Sequence, residues 1–136
     1  MKVHISSGVV VIKERKREPK VLIMYRKRSK SWHLPKGTQL PGESLEDTAK
    51  REALEETGVE IEIKKYLGKL HSQKSDGTPK ITHYFLAKPL SSNLQNHDQE
   101  HDYVEFVEIR EAIKRLQKKA LFEKEAGLLK KLSKKF

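Results

Sequence analysis

The chain contains no cysteine, so disulfides and thiolate metal sites are excluded, and the redox compartment is inferred only by default, as cytoplasm. Long apolar runs are also missing. Stretches such as GVVVI at 8–12 are far below the roughly 20 residues that a membrane-crossing helix requires. No basic segment followed by an apolar stretch and a cleavage site opens the sequence, so neither a spanning nor an exported protein is expected. Acidic residues are in short supply. Against 29 Lys plus Arg stand 19 Asp plus Glu, a net charge of +10, which favours anionic partners such as nucleotides, nucleic acid or acidic headgroups. A lysine-rich soluble surface would give the same total. With no internal repeat and no low-complexity linker, 136 residues are expected to form a single domain, 1–136, with its own core.

Two β-branched and apolar stretches, VHISSGVVVIKE and KVLIMYRKR, are separated by RKREP and predict a hairpin. SKSWHLPKG follows as a short extended piece, and the chain then loops through Gly42. Ser44 and Asp47 have capping spacing, acids crowd the next turn, and Gly58 falls where a helix takes its left-handed stop. VEIEIKKYLGKLHSQ and KITHYFLAKPL read as paired strands around the turn KSDGTP. SSNLQNHDQEHD reads as a polar loop, and YVEFVEI as a strand with Tyr103, Glu105 and Val107 on one face. In the tail, Ile113, Leu116, Ala120 and Leu121, then Leu128, Leu129 and Leu132 after Gly127, recur at helical spacing. This order of elements predicts a mixed α/β (α+β) domain.

In a chain poor in acids, Glu43, Glu46, Asp47, Glu52, Glu55 and Glu56 crowd one short segment. Glu52, Glu55 and Glu56 stand at i, i+3 and i+4 of the expected helix and therefore on one face. Their mutual repulsion, a few tenths of a kcal/mol per pair, is worsened by the negative end of the helix beside Glu55 and Glu56. Mg²⁺, or Mn²⁺ in its place, resolves that conflict, because hard oxygen ligands on one face are what such an ion takes. Arg51 lies beside the stripe and can brace Glu55 or the distant Glu43 through paired hydrogen bonds. Gly37, lacking a side chain, would let a backbone carbonyl approach the ion closely.

Gly37, Glu43, Arg51-Glu52, Glu55-Glu56, Gly58 and the apolar Val59 stand at the spacing of the Nudix box, with Ala53 where a larger aliphatic residue is usual. The chain thus resembles the Nudix hydrolase family, and the order of its elements resembles the Nudix α/β/α sandwich with a mixed sheet. What the resemblance implies is hydrolysis of a nucleoside diphosphate linked to another group. The metal would be held by Glu52, Glu55 and Glu56 with the Gly37 carbonyl, and Glu55 is the first candidate for the base that takes the water's proton. Glu100 sits where family members recruit a further acid; a solvated loop around His97, Asp98, Glu100, His101 and Asp102 is the bland alternative.

WHLPKGTQLPGE resembles the approach to the box in asymmetric diadenosine tetraphosphate hydrolases, with Trp32, Pro35, Lys36 and Gly37 matching. On that resemblance Lys36 would contact a phosphate and Tyr84 would stack on a base, against the alternatives of an exposed loop lysine and a core-packed tyrosine. Ser75, Asp76 and Gly77 occupy the region where that subgroup carries a tyrosine. A dinucleoside polyphosphate and a nucleoside triphosphate both stay open as substrates; the alternatives are an RNA 5′ end, against which Lys36 and Thr38 argue, and a nucleic-acid-binding module exploiting the tail KKLSKKF. Monomer and homodimer are equally compatible with the sequence.

Overall fold

The computed structural model of the chain describes residues 2–14, 18–90, 103–119 and 123–135. The expected polar loop with His97, Asp98, Glu100, His101 and Asp102 lies outside them, as do Ala120 and Leu121. Among the described residues, seven strands form one mixed sheet: β1 (His4–Lys13), β2 (Lys20–Arg26), β3 (Ser31–His33), β4 (Lys36–Thr38), β5 (Ile61–Gln73), β6 (Pro79–Pro89) and β7 (Tyr103–Glu108). The helices are α1 (Leu45–Thr57), α2 (Ile109–Gln117) and α3 (Glu123–Ser133).

The sheet runs β3-β2-β1-β6-β5, with β4 also on β1 and β7 also on β2. β1 is the hub. Over 4–11 it pairs in parallel with β6, from His4 opposite Lys80 to Val11 opposite Ala87. The other pairings among the described residues are antiparallel. The expected β1–β2 hairpin is present but brief, with Ile12 opposite Val21 and Lys13 opposite Lys20. β4 is a strand where the sequence predicts loop: Lys36, Gly37 and Thr38 pair with Gly8, Ser7 and Ser6.

Because successive strand residues face opposite ways, β1 serves two cores. Val9 and Val11 pack with Leu22, Phe85 and Ala87 against Ala49 and Ala53 of α1. Val10 and Ile12 pack with Ile23 and Tyr84 against Ala112 and Leu116 of α2 and Leu129 and Leu132 of α3. A sheet with one helix on one face and two on the other is the expected α/β/α sandwich. Two local bonds fix α1: its N-cap Ser44 accepts from Asp47 N–H, and Gly58 closes the helix at φ 77°. Thr48, Ala49, Ala53 and Thr57 have no exposed surface, so the helix lies close on β1, and Ser7 Oγ donates to Leu45 O at 2.6 Å. Ala53 is thus packed by the strands below it. Leu54 of the same helix is exposed. Among the described residues no helix is long and apolar enough to cross a membrane.

Candidate active site

The C-terminal half of α1, the strand β4 and the loop between them meet at Arg51. Its Nε donates to Glu43 Oε2 at 2.6 Å and its Nη2 to Glu43 Oε1 at 3.0 Å. Nη2 also reaches Thr38 O at 2.9 Å, while Nη1 donates to Glu52 Oε1 at 2.7 Å and to Glu55 Oε2 at 3.3 Å. A planar fork of donors is the group that can serve three carboxylates and a carbonyl together. Glu43 accepts further bonds from Leu40 N–H and Thr48 Oγ1, both at 2.9 Å. The Arg51 hydrogen bonds and the Leu40 N–H hold Glu43 down to about 2.

The three stripe glutamates occupy different surroundings. Glu52 is partly buried, and burial raises its pKa in spite of Arg51. Its carboxyl lies directly over Gly37: a Cβ on that glycine would stand 2.0 Å from Glu52 Cδ. Glu55 is mostly exposed. Glu56 is 7% exposed and accepts the Lys36 N–H at 2.9 Å, which ties α1 to β4. Arg51, Glu52, Glu55 and Gly37 are therefore brought together, while the Glu56 carboxyl faces the backbone of β4. Among the described residues no three His, Asp or Glu side chains converge closely enough to hold an ion, and Arg51 bridges Glu52 and Glu55. The donor set nevertheless fits a hard divalent cation: carboxylate oxygens beside a glycine whose missing side chain leaves the space that Glu52 enters.

One expectation changes. Tyr84 is 1% exposed and packs in the α2/α3-side core, with its hydroxyl donating to Glu125 Oε1 at 2.8 Å. A ring buried on both faces cannot stack on a base, so the stacking reading of Tyr84 is withdrawn. Lys36 is only partly exposed; its Nζ lies 3.5 Å from Glu125 Oε1. Glu100 lies outside the described residues. Glu125 was not singled out from sequence, although it stands at i, i+4 and i+7 with Leu129 and Leu132, on the buried stripe of α3. That spacing is the signal that marks it.

Residues 2–132 match the family model of the NUDIX domain. The chain belongs to the NUDIX domain family. Nudix hydrolases cleave pyrophosphate bonds in nucleoside diphosphate derivatives and use divalent metal ions. It is similar to the curated protein called MutT4 of Mycobacterium tuberculosis (strain CDC 1551 / Oshkosh), with 39% identity over 88 residues. The matched stretch is 62% of this chain and 36% of that protein, so this Nudix chain matches about a third of that relative's length. Among solved structures it is similar to the Ap4A hydrolase of C. elegans, at 26% identity over 97% of both chains with a TM-score of 0.73. A NUDIX hydrolase of Nitrosomonas europaea shares the fold at 24% identity, over 84% of this chain and 78% of that one, with a TM-score of 0.72.

Proposed function

We propose that this Nudix domain hydrolyses the pyrophosphate linkage of a dinucleoside polyphosphate such as diadenosine tetraphosphate, or of a nucleoside triphosphate, and does so in the cytoplasm with Mg²⁺. The observation that carries the reading is the Arg51-centred cluster, in which Glu43, Glu52 and Glu55 are held on one guanidinium beside Gly37. Similarity to the C. elegans Ap4A hydrolase over nearly the whole of both chains supports the substrate class.

Glu52, Glu55, Glu56 and the Gly37 carbonyl are the groups that would hold Mg²⁺, with Mn²⁺ as a substitute. A divalent ion there supplies charge neutralisation of the phosphate oxygens. The chain's own residues do the rest. Glu55, the most exposed of the three acids, takes a proton from the attacking water; the water oxygen bonds to phosphorus as the bridging P–O bond breaks, and the leaving phosphate departs as an anion. Arg51 positions Glu52 and Glu55 and keeps Glu43 ionised. Lys36, next to Glu56 through its backbone, extends positive charge toward the phosphate chain.

The test is a product-resolved panel of diadenosine tetraphosphate, nucleoside triphosphates and ADP-ribose with Mg²⁺ or Mn²⁺. Wild type is expected to give metal-dependent products, Glu55→Gln to lower kcat by about 10²–10⁴-fold, and Glu56→Gln to abolish turnover. A wild-type protein inert toward all three groups sinks the reading. Salt-sensitive binding of long RNA without turnover would favour a binding module instead.

A further inference from the structure

Glu125 stands where α3 calls for an apolar residue. It shares the buried stripe with Leu129 and Leu132 and is 3% exposed. Its Oε1 accepts the Tyr84 hydroxyl at 2.8 Å and lies 3.5 Å from Lys36 Nζ. Oε2 is buried with no hydrogen-bond partner among the described residues. A place in the first turn of a helix favours negative charge. A buried carboxylate with one oxygen unmatched still weighs against the fold, and an aliphatic side chain of similar size would not. Stability alone does not account for an acid here.

The groups it touches lead to the acidic face of α1. Gly8 on β1 stands opposite Lys36 on β4 and opposite Tyr84 on β6, so the three form a row across three strands. Directly opposed residues share a face, and the side chains of Lys36 and Tyr84 both reach Glu125 from the sheet. Gly8 leaves them the room: a Cβ there would stand 2.8 Å from Lys36 Cβ and 2.9 Å from Tyr84 Cε1. Lys36 has a second acid on its backbone, because its N–H donates to Glu56 Oε1 at 2.9 Å. One residue of β4 thus bridges two carboxylates, Glu125 through its ammonium and Glu56 through its amide. Burial raises the Tyr84 pKa, and Glu125 and then Glu56 add to it, so both carboxylates lie within range of that hydroxyl.

We propose that Glu125 is a positioning residue for the metal-binding face of α1: it anchors the Lys36 ammonium, fixes β4 at that residue, and so aims the Glu56 carboxylate. The inference rests on the pyrophosphohydrolase reading for the use of Glu56, and it adds the C-terminal helix to the parts that hold the site in shape. α3 supplies no ligand. It sets the direction of one from across the sheet, as the outer partners of metal ligands do, and the loss of such a partner costs about 10–100-fold in metal affinity.

The full-length, metal-free protein is titrated with Mn²⁺, the free ion being counted by its paramagnetic resonance signal, and the Lys36 amide is followed by hydrogen exchange. Glu125→Gln keeps an acceptor for Tyr84 and loses the charge that holds Lys36. It should weaken Mn²⁺ by about tenfold or more and speed exchange of the Lys36 amide by about as much. Lys36→Met removes the ammonium and keeps the backbone donor; it should weaken Mn²⁺ too, and combining it with Glu125→Gln should bring no further loss. A Glu125 that acted only as a distant charge would predict the opposite, since removing a cation near the site would tighten Mn²⁺.

Stability should move separately from affinity. Tyr84→Phe, which leaves the Lys36–Glu125 pair in place, should lower the thermal midpoint with Mn²⁺ affinity unchanged. Tyr84→Phe combined with Glu125→Leu replaces both buried partners by apolar groups and should keep a midpoint within a few degrees of wild type while losing Mn²⁺ affinity; this pair decides the matter even where Glu125→Gln alone folds poorly. Unchanged Mn²⁺ affinity in the folded Glu125 variants, or tighter Mn²⁺ in Lys36→Met, overturns the inference. Glu125-dependent Mn²⁺ binding by a wild type that cleaves no nucleotide would sink the catalytic reading alone; metal-dependent cleavage with kcat and Mn²⁺ affinity indifferent to Glu125 would sink the inference alone. A wild type that takes up no Mn²⁺ would sink both.

Discussion

At Gly37 the absence of a side chain is occupied by another residue's carboxyl. An added methyl there would stand 2.0 Å from Glu52 Cδ, and the group that must yield is the far end of a flexible side chain. Gly37→Ala is therefore expected to displace Glu52 without unfolding the domain: hydrolysis falls at least about tenfold while the thermal midpoint moves by only a few degrees. A midpoint collapse with residual specific activity intact would refute this account. Glu43 and Glu52 respond to pH in opposite senses. Glu43 titrates near 2 when folded, against an ordinary 4.5. A depressed folded pKa gives stability that is complete above the unfolded value and lost as pH falls toward the folded one. Between pH 4.5 and about 2 the thermal midpoint of wild type should fall more steeply than that of Glu43→Gln; parallel curves would show that Arg51 does not act through Glu43's charge. Burial raises Glu52 instead, so its ionised form weighs against the fold as pH rises through that pKa. The acid nearest Gly37 is maintained at some expense of stability, as residues selected for chemistry often are.

At the scale of elements, Tyr84 joins β6 to α3 through its bond to Glu125, and Lys36 closes the same carboxyl from β4. Tyr84→Phe removes the donor and leaves a buried carboxylate short of a partner, which is worth about 1–3 kcal/mol. The denaturation midpoint should fall with the denaturant slope unchanged; an unchanged midpoint would show that the bond from Tyr84 to Glu125 contributes nothing to stability. This contact also shows what could be read from sequence. α1 was legible from end to end, because Ser44, the early acids and Gly58 act through local bonds whose partners lie within a few residues. β4 was not. Lys36, Gly37 and Thr38 become a strand only by lying against Ser6, Ser7 and Gly8, a pairing about which the triplet itself carries no pattern. Gly127 reads as a break in the tail yet lies inside α3, since packing of Ala126 and Leu129 into the core outweighs the roughly 1 kcal/mol that glycine gives up in a helix. In the site, the acids and Arg51 were legible because they form a fixed pattern on one helix. The row of Lys36, Gly8 and Tyr84 was hidden because it exists only across three paired strands.

For the whole molecule, the division of labour follows the sheet. Both cores pass through β1, whose alternate residues face α1 on one side and α2 with α3 on the other. Positive charge is not spread evenly over the site: Lys36, Lys80, Lys119 and Arg26 gather in one cleft, next to the acids of α1. The net charge of +10 thus includes a cluster placed where a polyanion would have to lie. The parallel rungs between β1 and β6 impose an order in time as well. His4 through Val11 meet partners no earlier than Lys80 through Ala87, so while a ribosome is still delivering the turn after β5, the hub strand lacks its longest neighbour and exposes an apolar edge. Such distant closure is entropically slow, and the stretch before β6 emerges is the interval in which a nascent chain of this kind would need shelter from its own copies.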